Sequence, residues 1–125
     1  MKLKEYQVKA MATCMESSKN YSYMAGNLSA EVGELQGKVH KAQRKGLLEF
    51  SPNGHIVWKA DLEKMREFMI ELAKEAGDVL WQISGLCSVM GWDLEDVAQM
   101  NLDKLAARKA AGTIDGNGDG IMRGK

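Results

Sequence analysis

Two stretches decide how this chain is read, Leu28-Ser29-Ala30-Glu31-Val32-Gly33-Glu34-Leu35 and Leu72-Ala73-Lys74-Glu75-Ala76-Gly77-Asp78-Val79. Leucine, glutamate and glycine recur at the same places, and the second acid is Glu in one copy and Asp in the other. At roughly 100° per helical residue, counted from Leu28 or Leu72, the first acid of each octet falls near about −60° and the second near about −120°. Both acidic pairs therefore flank the apolar stripe of their helix on the same side. If the helices pack stripe to stripe, Glu31 and Glu34 face Glu75 and Asp78 across one groove. Clustered carboxylates repel and raise one another's pKa, so such a group stays ionised only beside a strong counter-cation. Oxygen ligands without thiolates or a histidine pair select a hard ion, Mg²⁺, Mn²⁺ or Ca²⁺. Solvated acids on an amphipathic helix give the same i,i+3 spacing. The matched phase and matched glycines, Gly33 and Gly77, bring the site level with that reading, since mid-helix glycine is ordinarily kept where a backbone or ligand comes close.

Working outward, the first octet belongs to a helix from about Met24 to Lys45, with Leu28, Val32, Leu35, Val39 and Ala42 on one face and Gly46 as its stop. The second belongs to a longer helix that Asp61 caps and Gly91 ends, with Met65, Met69, Leu72, Ala76, Val79, Ile83, Leu86 and Met90 inward. Between them, Ser51-Pro52-Asn53-Gly54 is a turn signal between apolar segments, and predicts a short β-hairpin over about 47–59. A first helix is expected from about Leu3 to Met15, broken by Ser17-Ser18-Lys19-Asn20. A fourth runs from an Asp93 cap to about Ala110, with Leu94, Val97, Ala98, Leu102 and Leu105 inward. A single proline and nine methionines in 125 residues fit this reading. The fold class is all-α, a four-helix core with a short β-hairpin insertion between the second and third helices. Residues 1–111 form one domain, and 112–125 a glycine-rich tail.

Lysine plus arginine equals aspartate plus glutamate, 17 of each, so no global field draws the chain to nucleic acid or an anionic membrane. The two cysteines, Cys14 and Cys87, sit in helical apolar patterns and suit buried thiols in a reducing compartment. No signal-peptide core follows Met1, and no apolar run reaches the ~20 residues of a membrane span. A soluble, cytoplasmic protein is expected. His40 and His55 have no spaced partner and suggest no zinc site. Asp115-Gly116-Asn117-Gly118-Asp119-Gly120 matches the first half of a calcium loop, but the closing glutamate would fall beyond Lys125.

These residues resemble a known family, the MazG-like all-α nucleoside triphosphate pyrophosphohydrolases, marked by E-x-x-E on one helix and E-x-x-D on the next. The likeness runs through Ala30-Glu31-Val32-Gly33-Glu34-Leu35, through Glu75-Ala76-Gly77-Asp78-Val79-Leu80-Trp81, and through Asn101-Leu102-Asp103-Lys104-Leu105-Ala106-Ala107-Arg108. A glycine-rich stretch from Gly112 to Asp119 completes it. The resemblance implies a homodimer, or a homotetramer built from dimers, that uses Mg²⁺, with Mn²⁺ as a substitute. It implies cleavage of a nucleoside triphosphate to the monophosphate and pyrophosphate. Glu31, Glu34, Glu75 and Asp78 would be the catalytic acids and metal ligands. Asn101, Lys104 and Arg108 would meet the substrate, Lys38 can approach its phosphates, and Trp81 can line a base pocket, although helix-surface pairing for Lys38 and core packing for Trp81 are the readings their residue types ordinarily favour. The chain departs from the family pattern at Ala30, where many relatives carry a further glutamate. It departs again in the tail, which usually reads G-D-x-R, whereas here Asp119 is followed by Gly120-Ile121-Met122-Arg123. The alternative is a helical regulatory or oligomerisation module that binds metal and nucleotide without turnover.

Overall fold

The computed structural model describes residues 1–112, so the calcium-loop-like stretch and most of the glycine-rich tail lie outside the described residues. The elements are α1 (Leu3–Met11), a 3-10 turn (Glu16–Ser18), α2 (Tyr21–Arg44), β1 (Leu48–Phe50), β2 (Ile56–Trp58), α3 (Leu62–Val89) and α4 (Leu94–Ala111). This is the expected all-α chain with its hairpin between the second and third helices.

Local chemistry sets each boundary. Asn20 accepts a hydrogen bond from the Tyr23 amide at 2.8 Å, which starts α2 one turn earlier than the apolar pattern indicates. Asp61 caps α3 in the same way, from Lys64 N at 2.9 Å. Gly46 (φ 77°) and Gly91 (φ 76°) take the left-handed conformation that closes α2 and α3. α1 stops at Met11 rather than Met15, and just beyond its end the Thr13 hydroxyl donates to Ala10 O at 2.7 Å. Asp93 is the residue before α4, but its side chain makes no cap hydrogen bond. The Leu94 amide is instead accepted by Gln7 Oε1 at 2.8 Å.

Gln7 ties α1 to the α3–α4 corner, its Nε2 donating to Ser88 Oγ (3.0 Å) and Trp92 O (2.9 Å). A buried amide persists because both its ends are paired. α2 and α3 pack antiparallel, as the pairs Met24 with Gly85, Asn27 with Gln82 and Lys38 with Glu75 establish. α1 lies against α3, where the Trp81 indole N–H donates to Ala10 O (3.1 Å) and Thr13 Oγ1 (3.0 Å). The hairpin pairs Leu48 with Trp58 and Phe50 with Ile56. Leu48 is fully buried, and Trp58 meets Phe68 of α3 edge to face at 5.8 Å.

Among the described residues the buried apolar ones are Ala10, Met24, Ala42, Leu48, Cys87 and Leu94, a smaller set than the helical stripes predict. Val32, Met69, Met90, Leu102 and Leu105, all expected inside, are exposed, Leu102 to 59 %. The apolar faces are longer than the surfaces one chain lays against them. The glycines also divide. Among the described residues a Cβ on Gly33 or Gly77 meets nothing within 4 Å, so neither serves close approach between them, whereas a Cβ on Gly85 would run into the Met24 thioether.

Candidate metal centre

The antiparallel packing of α2 and α3 brings the two octets together near the middle of both helices. One carboxylate oxygen from each of Glu31, Glu34 and Glu75 lies within 4.8 Å of the other two, a group able to hold a cation. Asp78 lies outside this tight trio, yet its charge reaches Glu31. The first acid of each octet, Glu31 and Glu75, is half-buried, and the second, Glu34 and Asp78, is exposed. That ordering follows from the helical phase, since the first acid lies closer to the apolar stripe.

Glu31 is the most strained electrostatically. Burial, then a hydrogen bond shared with Glu34, then the charges of Glu34, Asp78 and Glu75 raise its carboxyl above the usual value. Its Oε2 is buried and, among the described residues, accepts no hydrogen bond. A buried carboxylate oxygen with no donor, surrounded by other carboxylates, fits a divalent cation. The all-oxygen donor set fits a hard ion, with positions left over for water or phosphate oxygens. Nearby, Lys38 Nζ lies 3.8 Å from Glu75 Oε1, so part of the negative charge on the α3 side is already compensated.

The remaining expected residues fall elsewhere. Asn101 and Lys104 are exposed and Arg108 half-buried on α4, which packs on α1 and α3 and contributes nothing to the carboxylate trio. Trp81, three residues past Asp78, has its indole N–H engaged by α1. His40 and His55 are both exposed. Two features escaped the sequence reading. Tyr6 of α1 is half-buried, and its phenol is raised by burial and then by the charge of Asp78, so α1 lies within electrostatic reach of the acids. Asn27 and Gln82 are hydrogen-bonded across the helix pair at 3.0 Å. Their signal was present, since each stands four residues from an octet acid on the same helix.

Known proteins supply the class. A family model described as the MazG nucleotide pyrophosphohydrolase domain matches residues 19–112. The chain belongs to this family, whose members are generally nucleotide pyrophosphohydrolases and typically depend on a divalent metal. It is also similar to the Gene 37 protein of Mycobacterium phage L5, 32 % identical over 121 residues that cover 91 % of this chain and 94 % of the relative. No solved structure matches the chain. Among the described residues no helix is long and apolar enough to cross a membrane.

Proposed function

We propose that the chain is a Mg²⁺-dependent nucleoside triphosphate pyrophosphohydrolase that cleaves an NTP or dNTP between its α- and β-phosphates. The products are the monophosphate and pyrophosphate. The observation that carries this reading is the trio of Glu31, Glu34 and Glu75, with the Glu31 oxygen buried and without a donor. Glu31, Glu34, Glu75 and Asp78 would hold the metal, with Mn²⁺ as a substitute. When bound, the ion neutralises charge developing on phosphate oxygens and acidifies a water. A carboxylate of the same group orients that water. Lys38 turns from Glu75 to a phosphate oxygen, a move its flexible stem permits. Asn101, Lys104 and Arg108 present amide and cationic donors to the triphosphate. The ring faces of Trp81 are left for a base, since its N–H is held by α1.

The same reading takes residues 1–111 as the catalytic domain, with the remaining residues as a tail, in a cytoplasmic protein whose two cysteines are unpaired. It also takes the working form as a homodimer or homotetramer, supported by exposed Val32, Met69, Leu102 and Leu105 on faces patterned for burial. Sedimentation should give at least a dimer, and a monomer at micromolar concentration would remove this part.

The decisive experiment offers a panel of common and modified triphosphates with Mg²⁺ and separates pyrophosphate from orthophosphate. At least one substrate should yield pyrophosphate and monophosphate in equal amounts. Orthophosphate alone, or bound nucleotide without turnover, would overturn the proposal, the latter in favour of a regulatory module.

A further inference from the structure

One helical turn from the carboxylates, the α2–α3 interface is polar where such an interface is ordinarily apolar. Asn27 precedes Glu31 by four residues and Gln82 follows Asp78 by four, so each amide stacks along its helix on an acid of the site. Asn27 Nδ2 donates to Gln82 Oε1 at 3.0 Å. Gln82 Nε2 donates to Met24 O at 3.4 Å and lies 3.5 Å from Met24 Sδ. Gln82 is 1 % exposed and Met24 wholly buried. On the next turn Gly85 lacks a side chain where the Met24 thioether sits, which seats the helices closely at this level.

Burying an amide costs about 1–3 kcal/mol when it is unpaired, and an apolar pair of similar volume would fill the same space without that risk. What the amides add is direction. Leucines tolerate sliding, whereas a hydrogen bond between two short side chains is lost within a small displacement. A slip of one residue along either helix moves a carboxylate by about 1.5 Å and turns it by about 100°, enough to disperse the trio.

We propose that Asn27 and Gln82 are positioning residues, whose hydrogen bond fixes the register of α2 against α3 and thereby the convergence of Glu31, Glu34 and Glu75. The proposal rests on the metal-site reading above and deepens it.

The test compares the wild type with the double variant Asn27→Leu/Gln82→Met, in which apolar side chains of similar volume replace both amides, and with the exchanged pair Asn27→Gln/Gln82→Asn. Each is measured for Mn²⁺ affinity by calorimetry, for melting temperature, and for kcat and KM in pyrophosphate release. The apolar variant should melt at or above the wild type, while its Mn²⁺ affinity and kcat each fall about tenfold or more and KM changes much less. The exchanged pair, which restores a cross-helix hydrogen bond, should recover most of both losses. A merely structural role would lower the melting temperature and spare the metal. An apolar variant that binds Mn²⁺ and turns over like the wild type overturns the positioning role alone. If it does not fold, an exchanged pair that folds with wild-type packing and still loses Mn²⁺ overturns it too. A wild type that binds no Mn²⁺ overturns the metal reading and this proposal together.

Discussion

The two acidic octets have the same pattern and opposite surroundings. On α3, Glu75 has Lys38 at 3.8 Å, and Asp78 is exposed to water. On α2, Glu31 is pressed among acids, with one oxygen buried and unpaired. One copy is partly neutralised by the chain itself, and the other holds repulsion that a cation would relieve. Duplicated local sequence therefore does not give duplicated electrostatics, because the partner of each acid comes from across the helix pair.

Removing the acids should break the comparison most severely. Glu75→Gln or Asp78→Asn should cut pyrophosphate release to about a hundredth or less of wild type while leaving the circular dichroism melt intact. Glu31→Gln and Glu34→Gln should do the same if the α2 copy is equally committed, and residual activity above a tenth would show the octets to be unequal in function. Next comes helix spacing. Gly85→Ala should change stability by no more than about 1 kcal/mol in urea melts, because the flexible Met24 thioether can move and alanine gains helix propensity, and a larger loss would show the thioether to be locked in place. Lys38→Met should lower kcat/KM by about tenfold, roughly 1.4 kcal/mol, and leave Mn²⁺ binding as tight or tighter, since Glu75 loses its internal cation. Weakened Mn²⁺ binding would mean that Lys38 orders Glu75 rather than competing for it.

Smaller effects sharpen the same contrast. Gly33→Ala and Gly77→Ala should each stabilise the isolated chain by about 0.5–1 kcal/mol, because no atom of the described residues opposes the added methyl. Destabilisation would show that an assembly partner occupies that space. Glu31→Gln should raise the melting temperature of EDTA-treated protein slightly, and more at pH 8 than at pH 5. Folding raises the Glu31 pKa, so the folded chain keeps this proton to higher pH than the unfolded one. Stability from this group is therefore present at low pH and falls as pH rises through the ordinary carboxylate range towards the folded value. The amide removes that fall, and equal shifts at both pH values would contradict it.

The fold was largely legible because periodicity and punctuation agreed. The stripe through Leu28 and Leu72 marked the helices, while Asp61, Gly46 and Gly91 marked their ends. The acids were legible because a phase calculation needs only the spacing. Other features depend on groups distant in sequence. Gln7 takes the Leu94 amide from 87 residues away, and no local rule names it over Asp93. Asn27 and Gln82 look like surface amides until the helices are laid together. The stripes overstated burial because periodicity records which face is apolar and not whether the covering surface belongs to the same chain, as exposed Leu102 and Val32 illustrate. Gly33 and Gly77 show a related limit, since the sequence records only that a side chain is missing and not what takes its place.

The acids lie near the middle of both helices, and the joined ends of the pair lie far from them. Arg44 ends α2 about 15 Å of helix beyond Glu34, and α3 begins about 20 Å of helix before Glu75, so the hairpin springs from helix ends remote from the carboxylates. Its tip, Pro52 to Gly54, is exposed, and the ladder beneath it is braced by Trp58 on Phe68. The exposed tip thus offers a place for engineering, where an affinity tag could be spliced between Asn53 and Gly54 without burying any part of it in the helix pair.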